Sequence, residues 1–251
     1  MTQNLLIDIG NTNVHCALIN GEVVGKSLKL ATDLFESMNF KEDFNLGFGK
    51  RTLVSSVRHI SDSLKIRIDG FFNNVLYLSP DLRWPFKSDY KTPKTLGPDR
   101  VASVAGAQKI YPETACLVID AGTCITYDLI DHKGVYRGGA IIPGLRMQYQ
   151  ALYEKTGMLP LVEPDIDDLI FDDILKSALG KSTHTSMQMG VSAALTILLQ
   201  TIIVQFKNKY PGLKVLLTGG DAPFFERRLK NEIFASLNLN LIGLNAILEH
   251  N

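Results

Sequence analysis

Leu5-Leu6-Ile7-Asp8-Ile9-Gly10-Asn11-Thr12 returns later in the chain as Leu117-Val118-Ile119-Asp120-Ala121-Gly122-Thr123-Cys124. Each is an apolar run suited to a central strand covered on both faces, and each ends in Asp-x-Gly. A second apolar stretch follows each run, at residues 14–19 and 125–130. Then comes a glycine turn, Asn20-Gly21 or Lys133-Gly134, and a third strand. Asn-Gly between two strands signals a hairpin because both residues tolerate positive φ. Each half of the chain therefore opens with a three-stranded meander.

The echo continues. Arg51-Thr52-Leu53-Val54-Ser55-Ser56-Val57 and Lys214-Val215-Leu216-Leu217-Thr218-Gly219-Gly220 are short apolar strands that end in small residues. Helical spacing surrounds them at residues 61–72, 99–111, 144–155, 167–179 and 185–208, and again in a C-terminal segment. Two similar halves, each a mixed sheet with helices, imply a duplicated α/β architecture. The expected boundary lies near Pro112-Glu113, giving domains 1–112 and 113–251.

Composition narrows the function. The 251 residues are 45% hydrophobic and 21% charged, a globular balance. The 26 basic and 26 acidic residues cancel, so there is no cationic field for nucleic acid or a membrane surface. Cys16, Cys116 and Cys124 are an odd number without metal-ligand spacing and read as apolar filler. The N-terminus runs straight into a strand, and the longest apolar stretch, residues 191–206, is interrupted by Ser192, Thr196, Gln200, Thr201 and Gln205. That stretch reads as a buried helix rather than a membrane span, and a cytoplasmic protein is expected.

The two Asp-Gly turns suggest chemistry. Gly10 and Gly122 allow tight turns that expose backbone N–H groups, with polar hydrogens from Asn11, Thr12, Asn13 and Thr123 beside them. Such a nest suits the phosphates of a nucleotide. A carboxylate there repels phosphate unless a cation intervenes, which argues for a hard cation, most simply magnesium with its waters, at Asp8. A single turn of this kind is better explained by hairpin geometry alone, whereas a facing pair favours phosphates. Thr218-Gly219-Gly220 after a buried strand would let a flat adenine-ribose lie on bare backbone, although glycine pairs also simply end strands. Rival nucleotide motifs are missing. Gly180-Lys181-Ser182 looks like the end of a Walker loop, but Leu175 stands where its first glycine belongs, and no Gly-x-Gly-x-x-Gly occurs.

Taken in order, five segments resemble the motif set of the type III pantothenate kinases, within the actin/hexokinase-like phosphotransferases. They are Asp8-Ile9-Gly10-Asn11-Thr12, Gly97-Pro98-Asp99-Arg100, Asp120-Ala121-Gly122-Thr123, Gly138-Gly139-Ala140-Ile141-Ile142-Pro143-Gly144 and Thr218-Gly219-Gly220. The resemblance implies a duplicated ribonuclease H-like (actin-like ATPase) fold and ATP-dependent phosphorylation of the primary hydroxyl of pantothenate. It also implies that Asp8, Ile9, Gly10, Asn11, Thr12, Asn13, Val14 and His15 form the first phosphate loop. By the same resemblance Thr123, Gly219 and Gly220 would touch ATP, while Asp120 holds a monovalent cation, potassium or ammonium, alongside magnesium with ATP. Gly97, Pro98, Asp99 and Arg100 would bind pantothenate with Asp99 as catalytic base, and Tyr90 and Thr183 would line its pocket. Family members resemble one another in being homodimers, and the apolar surplus of the 191–206 helix puts Leu195, Leu199 and Ile202 at an expected subunit interface, although a helix central to the second half would account for the same surplus.

Each residue also has a plainer role available. Asp99 after Pro98 is a good helix cap, Arg100 could pair with a surface carboxylate, and Thr183 could cap the helix expected near Thr185. His15, His59, His132, His184 and His250 show no metal spacing, and the acidic run Asp165, Asp167, Asp168, Asp172 and Asp173 reads as a solvated helix start. A kinase for acetate, glycerol or a sugar, and a non-catalytic nucleotide-binding or actin-like assembly protein, share the same fold-level pattern.

Overall fold

The apolar run that opens the chain becomes the centre of a sheet, with Leu5, Leu6 and Ile7 all fully buried. The computed structural model describes residues 3–164, 179–229 and 233–251. The expected helix at 167–179 and the acidic run at 165–173 lie outside the described residues, apart from Leu179. In chain order the elements are β1 (Asn4–Ile9), β2 (Asn13–Asn20), β3 (Val23–Ala31), α1 (Thr32–Ser37), α2 (Phe40–Asp43), β4 (Thr52–Ser56), α3 (Asp62–Phe71), β5 (Val75–Tyr77) and β6 (Lys87–Ser88). A 3₁₀ turn (Pro93–Thr95) leads to α4 (Pro98–Ile110), β7 (Cys116–Ala121), β8 (Cys124–Ile130), β9 (Val135–Pro143) and α5 (Leu145–Lys155). Then come α6 (Thr183–Lys209), β10 (Lys214–Thr218), α7 (Ala222–Glu226), β11 (Phe234–Ala235) and α8 (Leu239–His250).

Packing divides the chain into two compact units that are discontinuous in sequence. The first comprises Met1–Glu113, Ile130–Gly138 and Asn238–Asn251; the second comprises Thr114–Leu129 and Gly139–Leu237. In the first unit the strand order is β3-β2-β1-β4-β5. The meander β1–β2–β3 is antiparallel, whereas β1–β4 and β4–β5 are parallel. In the second sheet β9-β8-β7-β10-β11 repeats that order, again with parallel pairing of β10 to the central strand and to the edge strand, and a sixth strand, β6, pairs in parallel outside β9. The sequence echo is therefore a repeat of topology, the mark of a duplicated ribonuclease H-like α/β fold.

The first hairpin departs from expectation by one residue. Asn20 pairs with Val23, so the turn residues are Gly21 and Glu22 rather than Asn20 and Gly21. Only Gly21 has positive φ (+59°), the pattern of a II′-like rather than a I′ turn.

The C-terminal helix α8 completes the first unit. Gly106 of α4 and Gly243 of α8 stand where the two helices cross, and a Cβ on Gly243 would lie 2.7 Å from the backbone nitrogen of Gly106. Only glycine on both helices allows that approach. Asn245, buried on α8, donates to Gly21 O at 2.9 Å and accepts from Asn4 at 2.8 Å, tying the helix to the sheet.

In the second unit α6 contributes Met187, Val191, Leu195, Leu199 and Ile203 to the core at four-residue spacing. A π-helical turn, Met189–Ala193, lies within this stripe. By length and composition α6 could cross a membrane, its most apolar window having a mean hydropathy of 1.8. One whole stripe of it is nonetheless spent on the protein core. Leu195 and Leu199 therefore cannot be interface residues as expected, because both face inward. The apolar side chains that α6 exposes are Ile197, Leu198 and Val204.

Candidate active site

The first Asp-Gly turn lies in the first unit. Asp8 is half-buried in β1 between the buried Ile7 and Ile9, opposite His15 on β2 and Ser55 on β4. The chain then closes tightly, with Gly10 N–H donating to Asn13 O at 2.9 Å and Thr32 Oγ1 donating to Gly10 O at 3.0 Å. Asn11, Thr12 and Asn13 are left exposed on the rim. Gly10 does not have positive φ; its requirement is close approach, since a Cβ there would sit 2.8 Å from Asn13 O. Burial first, and then Lys29 paired across from it on β3, hold the His15 imidazole below its ordinary pKa.

Gly97 to Arg100 occupy the start of α4. Pro98 is the first helical residue, its fixed φ suiting that place, and Gly97 is the cap residue, so Asp99 lies one turn position inside the helix and is not the N-cap. Its Oδ1 accepts from the Arg100 amide at 2.9 Å, which satisfies one of the free N–H groups of the first turn. A side chain on Gly97 would collide with that same oxygen, so glycine there is what seats the Asp99 carboxylate.

Arg100 is not a surface residue. It is 5% exposed, its Nη2 donates to the Tyr136 hydroxyl at 2.8 Å, and its guanidinium carbon lies 5.7 Å from the centre of the Tyr90 ring. Asp99, Arg100 and Tyr90 are thus brought into one neighbourhood. A buried guanidinium beside a half-buried carboxylate is suited to gripping an anionic group and orienting a hydroxyl.

The second Asp-Gly turn lies in the second unit. Asp120 pairs in register with Thr218 of β10, and Gly122 N–H closes the turn on Cys124 O at 3.0 Å. Gly122 also lacks positive φ, and a Cβ there would meet only ordinary contacts at 3.7 Å, including Asp120 Oδ1. Gly219 is the strained position, with φ +95°. Asp221, which follows Gly220, is gripped by Arg146 from the second residue of α5. Glycines at 122, 144 and 219 together line the turn with bare backbone, Gly144 N–H donating to Thr123 O at 3.1 Å. Thr123 and Gly220 are exposed there.

A hard cation fits this chemistry, because the Asp120 carboxylate and the backbone oxygens of the turn gather at the end of β7. Among the described residues no group of three or more His, Cys, Asp or Glu could hold a metal. Such an ion would take its remaining ligands from backbone, water or nucleotide.

Thr183 is the first residue of α6, and Ser182 before it is the cap, in a reciprocal capping box with Thr185. Thr183 is exposed and lines a cavity of about 810 Å³ in the second unit, with Gln148, Lys155, Thr156 and Ser186. Sequence reasoning missed Tyr136, Arg146 and Asp221. The Asp131-x-Lys133-Gly134 turn was a signal for the first of these, since a turn-forming Asp fixes the strand that follows.

Two sheets that share a five-strand order, each with an Asp-Gly turn at the end of its central strand, give the actin/hexokinase-like fold, which kinases and non-catalytic proteins share. Solved structures agree on the fold. A Campylobacter jejuni protein provisionally described as a Baf family transcriptional activator aligns over 98% of both chains with TM-score 0.65 and 22% identity. A Sinorhizobium meliloti protein provisionally described as a 2-dehydro-3-deoxygalactonokinase covers 98% of this chain and 96% of its own, with TM-score 0.59 and 12% identity.

Sequence comparison is more specific. The model of the type III pantothenate kinase family matches residues 4–205. The type III pantothenate kinase of Christiangramia forsetii is 38% identical over 250 residues, 99% of this chain and 98% of its own. That of Bacteroides fragilis is 39% identical over 254 residues, again covering 99% and 98%. The chain belongs to the type III pantothenate kinase family.

Proposed function

We propose that this chain transfers the γ-phosphoryl group of ATP to the primary hydroxyl of pantothenate, giving 4′-phosphopantothenate and ADP, the first step toward coenzyme A. The observation that carries the reading is the buried Arg100 fixed beside Asp99 at the start of α4. Arg100 grips the pantothenate carboxylate, and Asp99 orients the hydroxyl in line with the γ-phosphate. The new P–O bond forms as the bond to the β-phosphate breaks, and the hydroxyl proton passes to Asp99. A loose transition state asks for that proton only late, so a carboxylate suffices.

In the same reading, Asp8 to His15 cradle phosphates and Thr123, Gly219 and Gly220 meet the rest of ATP. Asp8 would hold magnesium through water and Asp120 potassium or ammonium; when bound, these ions offset phosphate charge. Gly97, Pro98, Tyr90 and Thr183 complete the acceptor site. We read residues 1–112 and 113–251 as the two duplicated halves. The enzyme acts as a cytoplasmic homodimer, with Ile197, Leu198 and Val204 of α6 as the face for its second copy.

The test is a coupled ADP-release assay with ATP, magnesium and potassium, and a panel of pantothenate, acetate, glycerol and sugars. Selective turnover of pantothenate is expected. Turnover of another acceptor instead would reassign the substrate, and tight ATP binding without any transfer would point to a non-catalytic role.

A further inference from the structure

We propose that Tyr136 is a positioning residue for the acceptor substrate, acting through Arg100 and Tyr90. This rests on the reading of Arg100 and Tyr90 as pantothenate-binding residues. Tyr136 is 0% exposed, and its hydroxyl accepts from Arg100 Nη2 at 2.8 Å in a bond buried at both ends. Its ring lies 5.8 Å from that of Tyr90, with the planes at 36°. One side chain thus touches both groups that meet the acceptor, the guanidinium by its polar tip and the aromatic wall by its face.

The strand beneath is locked. Tyr136 pairs with Ser88 of β6, and its carbonyl accepts from the Asp89 amide at 3.0 Å, directly before Tyr90. The next residue, Arg137, points to the other face of β9, as strand alternation requires. There it bridges Asp89 and the buried Asp131, whose carboxylate also accepts from the amides of Lys133 and Val135 at 2.9 and 3.0 Å. Burial by itself would raise the Asp131 pKa; the two amides and the Arg137 guanidinium overcome it and hold the carboxyl below its ordinary range. The segment that carries Tyr90 is therefore clamped to the strand that carries Tyr136.

A planar guanidinium free to rotate must be ordered when its carboxylate arrives, and that ordering weakens binding. The Tyr136 hydroxyl fixes the plane beforehand. Its effect falls on acceptor binding and leaves ATP untouched.

Tyr136→Phe keeps the ring and its contact with Tyr90 but deletes the hydroxyl. The expected result is a rise of about tenfold in KM for pantothenate, the low end of the range for losing a hydrogen bond to a charged group, with KM for ATP within about twofold and kcat little changed. In an Arg100→Met background the same substitution should add almost nothing, because the two act as one unit. Unchanged KM for pantothenate overturns the proposal. So does an equal rise for both substrates, or full additivity with Arg100→Met, since either marks a merely structural tyrosine. If Tyr136→Phe does not fold, Arg137→Gln loosens the clamp from the opposite face and should give a smaller rise, about threefold, again for pantothenate alone; no selective rise overturns the proposal. Wild-type protein inactive on pantothenate would sink the parent reading, whereas an active wild type matched by Tyr136→Phe sinks only the role of Tyr136.

Discussion

Asp120 and Gly219 share a space that no second side chain could enter. A Cβ on Gly219 would stand 2.5 Å from Asp120 Oδ1 and would collide with the carbonyl of Ala121. The end of β10 can therefore lie against the Asp120 carboxylate only while residue 219 is bare, and φ of +95° restricts the position to glycine a second time. Gly219→Ala is expected to lower stability by about 1–3 kcal/mol and to weaken ATP binding, measured by denaturant unfolding and nucleotide titration. An alanine variant with native stability would show that the turn relaxes freely.

The same carboxylate is the proposed monovalent-cation ligand. Native enzyme should use ATP better in potassium than in sodium at equal ionic strength, and Asp120→Asn should erase the difference. Identical rates for the native enzyme in both salts would remove Asp120 from that role.

Asp99 makes a bond to the Arg100 amide that asparagine can reproduce through its side-chain oxygen. Asp99→Asn therefore separates chemistry from architecture. Turnover should fall by roughly a hundredfold or more, while melting temperature and ATP affinity stay near native. Near-full turnover would leave Asp99 as a first-turn stabiliser and nothing else.

On α6, two residues decide the assembly question between them. Leu199 is fully buried and Ile197 is 38% exposed, so charge at each has different consequences. Leu199→Asp should unfold the second unit, because an unpaired charge in that core costs several kcal/mol. Ile197→Asp with Leu198→Lys should leave the fold intact, shift light scattering from dimer to monomer, and reduce pantothenate turnover. Native light scattering at monomer mass with full activity would end the dimer reading.

His15 gives a pH dependence whose sign is fixed. Its folded pKa lies below the ordinary 6.5, through burial and then Lys29. Between the two values the unfolded chain binds the proton and the folded chain does not. Its share of stability is therefore intact above pH 6.5 and declines as pH falls from there toward the depressed folded value. His15→Gln should flatten that part of the melting-temperature profile between pH 7.5 and 5, and an unaltered slope would assign the loss to other groups.

The central strands were legible because a strand covered on both faces carries an unbroken apolar run, as Leu5 to Ile7 in β1 and Cys116 to Ile119 in β7 do before the Asp of each turn. The opening meander of each half followed from turns that carry glycine, whereas the parallel placement of β4 and β10 beside the central strands did not. The inward face of α6 was not legible, since its buried and exposed stripes are both apolar and periodicity cannot rank them. Asp99 and Arg100 could be picked out as motif residues, but the burial of Arg100 could not. It depends on Tyr136, which lies 36 residues away along the chain and returns to α4 only through β9. Arg146 and Asp221 are 75 residues apart, and no local spacing joins them.

The crossing of α4 and α8 at Gly106 and Gly243 also bears on how the chain is made. Residues 100–107 of α4 are all buried, and α8, which covers them, lies beyond the second unit in the chain. A ribosome adding residues in order has finished the whole second unit before it supplies the helix that closes the first. The nascent first unit must then wait with the flank of α4 uncovered, a surface that holdase chaperones recognise. A nascent chain stalled at Glu113 should bind such a chaperone or a hydrophobic dye, and the released full-length chain should not.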